Sequence, residues 1–311
     1  MASAKQVAVV VGASRGIGRQ IAIDLARDGY AVVVAAKTTS DATQCVPFPP
    51  DPNSPQSTIN TVAREITEAG GDALALQVDV RDFENIQDMV EQTVQKYARL
   101  DVLVYNSGAI WWASVEKTPM KRFQLMQRVN PEGLYGCVQA CLPHLYRHGE
   151  KGSGRIVVIS PPIYSRFLRG KTAYAMGKVA MSALTMGLAM DFEREGRSEL
   201  AITSLWPAAA IDSAATQNPQ TDRSRLRKPT IFSDAVLAIL KAPAKDVNGA
   251  CLLDEDFLQS HEGVSDFSKY ALVPGSMPRR IMPAKLPDLS VKEQADEGAR
   301  MDSTSLRATK L

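Results

Sequence analysis

Seven short apolar runs recur along the chain, each followed by a stretch with helical spacing, and this alternation limits the fold more than any other feature. The runs occupy residues 7–11, 31–36, 73–78, 101–105, 155–160, 201–206 and 249–253. Each is continuously apolar and does not alternate with polar residues, as strands covered on both faces require. Helix-period stretches lie between them at 18–28, 58–69, 83–97, 120–148, 172–195 and 233–240. Together they predict an α/β fold, a seven-stranded parallel doubly wound sheet with helices on both faces. The rhythm runs to about residue 254, so residues 1–287 read as one domain and the polar stretch 288–311 as a mobile tail. Two polar interruptions stand out, an inserted Pro- and Ser-rich loop at 38–57 and a connection at 208–229. Both follow strands, at the sheet edge where such folds bind ligands, and the second reads as a substrate loop.

Composition narrows the partners. The 311 residues carry 36 Lys+Arg against 34 Asp+Glu, a formal charge of +2. That balance provides no field to gather nucleic acid or an anionic membrane surface. No apolar run approaches the roughly 20 residues that span a bilayer. The four cysteines show no dense spacing and fit a reducing compartment. The first apolar run is a strand and not a signal peptide. A cytoplasmic location is expected.

Immediately after the first run comes Gly12, Ala13, Ser14, Arg15, Gly16, Ile17 and Gly18, leading into a helix. Glycines between strand and helix let a dinucleotide's diphosphate approach backbone N–H groups at the helix N-terminus. The second run ends at Lys37, where an acidic residue would favour the free ribose hydroxyls of NAD. Lys37 and Arg15 instead suit the 2′-phosphate of NADP(H). Asp79 and Val80, closing the third run, are placed beside the adenine. Tyr174 and Lys178 stand four apart near a helix start and so share a face. A neighbouring ammonium stabilises phenolate, which is expected to lower the Tyr174 pKa.

These motifs, with Asn106, Ser107 and Gly108 after the fourth run and Asn130, Pro131, Glu132 and Gly133 in the long helix, follow one another in the order of the short-chain dehydrogenase/reductase family. The chain resembles that family over roughly residues 6–255. The AAKT stretch after the second run, the Pro-containing insertion, and the ISPP and LWP stretches resemble its hydroxysteroid-dehydrogenase-like branch. The segment after the reductase region is too short for the sterol-carrier domain that branch can carry. The resemblance implies a single-domain Rossmann fold and hydride transfer from a nicotinamide. It makes Tyr174 the proton donor or acceptor, Lys178 the holder of the nicotinamide ribose and Asn130 the anchor of a relay water. Asn106, Ser107 and Gly108 would line the cofactor groove, and Pro207 and Ile211 would flank the nicotinamide.

One departure matters for the chemistry. The family's serine stands 13 residues before the tyrosine, and this chain has Pro161 there. A hydrogen bond aimed at a developing oxyanion is worth about 3 kcal/mol. Ser160, Tyr164 and Ser165 are the nearby hydroxyls, and Ser160, one place early in a strand, should point to the other face. Tyr105 for an Asn and Ala208 for a Gly are milder departures. Cys137, Cys141, His144 and His148 form one helical stripe. Four ligands on one straight helix cannot surround a tetrahedral zinc, so no metal is expected and core packing is favoured. Trp111 and Trp112 either line an apolar cleft or pack.

Two functions follow from these residues. The first is an NADP(H)-dependent oxidoreductase that interconverts a carbonyl and an alcohol on a lipophilic small molecule. The second is a dinucleotide-binding protein with little turnover, which Pro161 favours. Ala-, Met- and Leu-rich helices at 133–148 and 180–191 suggest a homodimer or homotetramer. The last three residues, Thr309, Lys310 and Leu311, differ from the peroxisomal SKL address only at the first, which makes a peroxisomal location the alternative.

Overall fold

The computed structural model describes residues 5–146, 153–160 and 168–284, together with 288 and 291. Seven strands, β1 (Val7–Val11), β2 (Ala31–Ala36), β3 (Asp72–Gln77), β4 (Val102–Tyr105), β5 (Arg155–Ile159), β6 (Ala201–Trp206) and β7 (Cys251–Leu253), form one sheet in the order β3-β2-β1-β4-β5-β6-β7. Every neighbouring pair is parallel. The continuous apolar runs are explained by burial on both faces. In β1, Ala8 and Val10 enter one core while Val7, Val9 and Val11 enter the other.

The helices among the described residues are α1 (Gly16–Arg27), α2 (Ile59–Glu68), α3 (Phe83–Tyr97), α4 (Met120–Gln127), α5 (Gly133–Leu145), α6 (Thr172–Arg194), α7 (Thr230–Lys241), the single turn α8 (Ala244–Val247) and α9 (Asp254–Glu262). One core joins the sheet to Ile21 and Leu25 of α1, Ile59 and Val62 of α2, Phe232 and Ile239 of α7 and Phe257 of α9. The opposite core holds Ile86 and Met89 of α3, Leu134 and Cys137 of α5 and Met181 and Phe192 of α6. Strand order reverses direction between β1 and β4, which opens the crevice where such sheets bind ligands.

The expected continuous helix at 120–148 is instead two helices joined by a wider, π-type turn at Arg128–Glu132. Pro131 lies in it and has no N–H to give. The Gly133 N–H reaches back to the carbonyls of Arg128 and Asn130, on either side of the Val129 carbonyl. The Tyr105 hydroxyl donates to it at 2.5 Å, which explains a tyrosine at the end of β4.

The chain after β7 has more structure than its sequence pattern suggested. Following α9 it crosses back over the strand ends, where the Ile281 and Met282 N–H groups donate to the Ala208 carbonyl at 2.7 and 3.2 Å. An ion-pair network, buried at Arg227 and Glu255, fixes this return. Arg227 meets Glu255 at 2.5 Å, and Arg280 meets Asp256 at 2.6 Å and Glu255 at 3.3 Å. The polar stretch 208–229 folds into two short 3₁₀ turns, Ala214–Thr216 and Arg223–Arg225. The inserted loop ends where Thr58 caps α2, its hydroxyl accepting from the Thr61 N–H. Nearly all of the expected tail, including Thr309, Lys310 and Leu311, lies outside the described residues, as do Pro161, Tyr164, Ser165 and His148. No helix among the described residues is long and apolar enough to cross a membrane.

Candidate active site

The glycine turn is built for close approach. Gly12 has φ +86°, and a Cβ on it would stand 2.6 Å from the Ser107 nitrogen. A Cβ on Gly18 would stand 2.2 Å from the Gly12 carbonyl oxygen. Asn106 ties the two strand ends together by donating its side-chain amide to Gly12 O at 3.0 Å. At the start of α1, Arg15 precedes the helix without a side-chain cap. The Ile17 and Gly18 N–H groups meet no acceptor among the described residues. Such unsatisfied amides at a helix N-terminus form a site for an anion, so these residues fit a dinucleotide's diphosphate. Ser14 is buried behind the turn, its carbonyl accepting from the Ser57 hydroxyl at 2.7 Å.

At the end of β2, Lys37 donates to Asp79 at 3.1 Å. Arg81, not anticipated from the sequence, grips the same carboxylate at 2.5 and 2.8 Å. The Arg81 guanidinium holds the Asp79 carboxyl far below the usual carboxylate range. Arg15 makes no ion pair among the described residues. Val80 is buried in the core under Gly133. Two cations thus converge on Asp79, with Arg15 unengaged in the adjacent turn.

Across the crevice, Tyr174 and Lys178 lie on the inner face of α6, 2% and 4% exposed. The Lys178 ammonium donates to the Ile159 carbonyl at 2.7 Å, and burial brings its pKa down to about 7. Burial pushes the Tyr174 phenol well above its ordinary value. The expected lowering by Lys178 is therefore corrected: the ammonium is drawn to a backbone carbonyl and itself disfavoured by burial, and desolvation dominates at the phenol. Asn130, fully buried in the π-type turn, accepts from Ala109 N at 2.8 Å and donates to Ala109 O at 3.1 Å. A Cβ on Gly108 would stand 3.7 Å from Asn130 Oδ1 and 3.8 Å from Lys178 Nζ, so these three residues meet at one point. Pro207 and Ile211 are buried beyond the end of β6.

Ser160 does not join this group. Its hydroxyl donates to the Lys178 carbonyl at 2.8 Å and pairs with Ser182 at 2.9 Å, so it is engaged beneath α6. Cys137 and Cys141 are fully buried, and burial alone lifts the Cys141 thiol to about 12. They pack in the core, and no metal-holding group of three or more His, Cys, Asp or Glu occurs among the described residues.

The walls around Tyr174 are apolar. It packs in one cluster with Met126, Ala173, Ala208, Leu253 and Met282. Trp112 meets its ring edge-on at 6.5 Å between centroids, and Ile110, Trp111, Trp112 and Ala215 line a cleft of about 380 Å³. Met282 was missed at the sequence level, since nothing local marks a residue that far beyond β7 as part of the site. Asp254 was missed as well. Its Oδ1 accepts from the Ala208 and Glu255 N–H groups, both at 2.7 Å, and holds the Ala208 peptide beside Tyr174.

Comparison with known proteins gives this arrangement its context. A family model described as short chain dehydrogenase matches residues 6–47 and 53–223, passing over 48–52. The chain is 38% identical over 305 residues to "Hydroxysteroid dehydrogenase-like protein 2" of Danio rerio, covering 96% of this chain and 69% of that protein. The Mus musculus protein of the same name is 37% identical, with 92% and 54% covered, so the chain spans little more than half of that relative. Among solved structures, a putative dehydrogenase from Xanthomonas campestris shares 37% identity at a TM-score of 0.76, covering 94% of this chain and 99% of that one. An alcohol dehydrogenase from Thermococcus sibiricus, complexed with 5-hydroxy-NADP, shares 26% identity at a TM-score of 0.65, with 80% and 95% covered.

Proposed function

The chain belongs to the short-chain dehydrogenase family, and from that premise we propose that it is an NADP(H)-dependent oxidoreductase interconverting a carbonyl and an alcohol on a lipophilic small molecule, with Tyr174 as its acid/base. The observation that carries this reading is Tyr174 itself, a phenol buried among apolar side chains one helical turn from Lys178 and edge-on to Trp112 of the apolar cleft. When bound, the cofactor supplies a hydride to the carbonyl carbon. Tyr174, kept protonated by burial at neutral pH, donates its hydroxyl proton to the carbonyl oxygen. Lys178 and Asn130 hold the floor beneath it through Ile159 O and the Ala109 peptide. Ile17 and Gly18 N–H groups take the diphosphate, and Arg15 and Lys37 take the 2′-phosphate.

The lipophilic substrate draws support from Met126, Met282, Trp111 and Trp112, and from the hydroxysteroid in the names of the relatives. NADP(H) draws support from the two cations and from the nucleotide in the Thermococcus neighbour. The same proposal includes a homodimer or homotetramer, because Tyr135 of α5 and Met176 of α6 are more than half exposed. A cytoplasmic or, through Thr309, Lys310 and Leu311, a peroxisomal location belongs to it too.

A second reading, a dinucleotide-binding protein with little turnover, draws on Ser160, whose hydroxyl is engaged beneath α6. A panel of carbonyl compounds followed by NADPH absorbance separates the two. The oxidoreductase predicts turnover on some members, reduced at least about a hundredfold in Tyr174→Phe. Binding of NADPH with equal background in wild type and variant on every compound supports the second reading.

A further inference from the structure

The stretch that the family match passes over lands on the phosphate turn. Pro52, in the inserted loop, offers its carbonyl to the Gly16 N–H at 3.0 Å, at the first residue of α1. Asn53 follows, 9% exposed, and donates its amide to Asp212 at 3.2 Å. Its Oδ1 is buried with no partner and lies 3.4 Å from where a Cβ on Gly16 would stand. Ser213 comes to 3.3 Å from the same point. Ser57 anchors the far end of the loop on Ser14 O. Three segments distant in sequence, the glycine turn, the insert and the loop after β6, therefore close a ring around the N-terminus of α1.

A buried amide oxygen with no partner is costly, and it is relieved when a ligand or a turned-over amide meets it. Turning the amide over points its N–H at the helix mouth and its Oδ1 at Asp212, whose carboxyl is raised by burial against the pull of Arg223 and donates to that oxygen when protonated. We propose that residues 51–57 form a clasp over the diphosphate site, with Asn53 as its contact residue, and that the clasp sets how slowly the dinucleotide leaves. This rests on the dinucleotide reading above. An enclosing loop contributes chiefly to residence time, because bound ligand leaves only when the loop opens.

Stopped-flow NADPH fluorescence with displacement tests it. Asn53→Ala is expected to raise the dissociation rate about tenfold, and Asn53→Asp more, since a carboxylate would face the diphosphate. Circular dichroism checks that both remain folded. Should they not, hydrogen exchange on the wild type gives the same answer. The amides of 51–57 should exchange about tenfold more slowly when NADPH is saturating. Dissociation rates within about twofold of wild type in both folded variants, or exchange indifferent to NADPH, overturn the clasp. A wild-type protein that binds neither NADPH nor NADH overturns the dinucleotide reading instead.

Discussion

Ser160 shows how much a single position can say. It directly follows β5, and its hydroxyl is engaged with Lys178 O and Ser182. Ser160→Ala should therefore lower stability by about 1 kcal/mol by urea denaturation while turnover stays within about threefold. A loss of turnover comparable to that in Tyr174→Phe would make Ser160 part of the chemistry. Lys37 is the converse case, two-thirds exposed and, among the described residues, paired with Asp79. Lys37→Asp is expected to cut the NADPH-over-NADH affinity ratio at least about tenfold in fluorescence titrations, by setting a carboxylate against the 2′-phosphate. An unchanged ratio would assign the preference to Arg15 alone or to none. Gly12, Gly18, Asn130, Tyr174 and Lys178 were legible because each belongs to a short local pattern. Arg81 sits two residues from Asp79 and could have been found by asking what neutralises that carboxylate. Asn53 and Met282 could not, because what they meet comes from far along the chain.

At the level of elements, all seven strands were legible as apolar runs bounded by polar turns, continuous through burial on both faces in the inner strands and only partly buried at the edges β3 and β7. The long helix was misread at its middle. Helical periodicity persists through Arg128–Glu132, but Pro131 removes a donor and the backbone widens around it. The return of 263–284 escaped notice because it is held by the Arg227–Glu255–Arg280 network and not by periodic apolar residues. Asp254 links that return to the site through Ala208. Burial raises its pKa from 3.8 to about 7. A carboxyl raised in the folded state contributes stability that is complete below the unfolded value and is lost as pH climbs through the folded one. Between about pH 4 and pH 7 this group should therefore destabilise the fold progressively. Asp254→Asn keeps an oxygen for Ala208 N and does not ionise. The fall in Tm from pH 5 to pH 8 should be smaller in the variant by a few degrees in thermal melts. Equal slopes would show that Asp254 does not titrate in this range.

For the whole molecule, a parallel sheet covered by helices on both faces follows from the alternation of runs, whereas the strand order, with its reversal between β1 and β4, comes from the structure. Assembly and chemistry require more. With Tyr135 and Met176 exposed on α5 and α6, light scattering at micromolar concentration should report a dimer or tetramer. A monomer there would leave those faces for another partner. In the proposed oxidoreductase, this crevice directs a hydride to a carbonyl carbon while Tyr174 delivers the proton. This chemistry is tested most directly by incubating the protein with a carbonyl panel and NADPH carrying deuterium at both positions of the reactive nicotinamide carbon. Mass spectrometry of the alcohols should find one deuterium on the former carbonyl carbon with the wild type and none above background with Tyr174→Phe. Alcohol formed without deuterium, or equal labelling by the variant, would contradict the account.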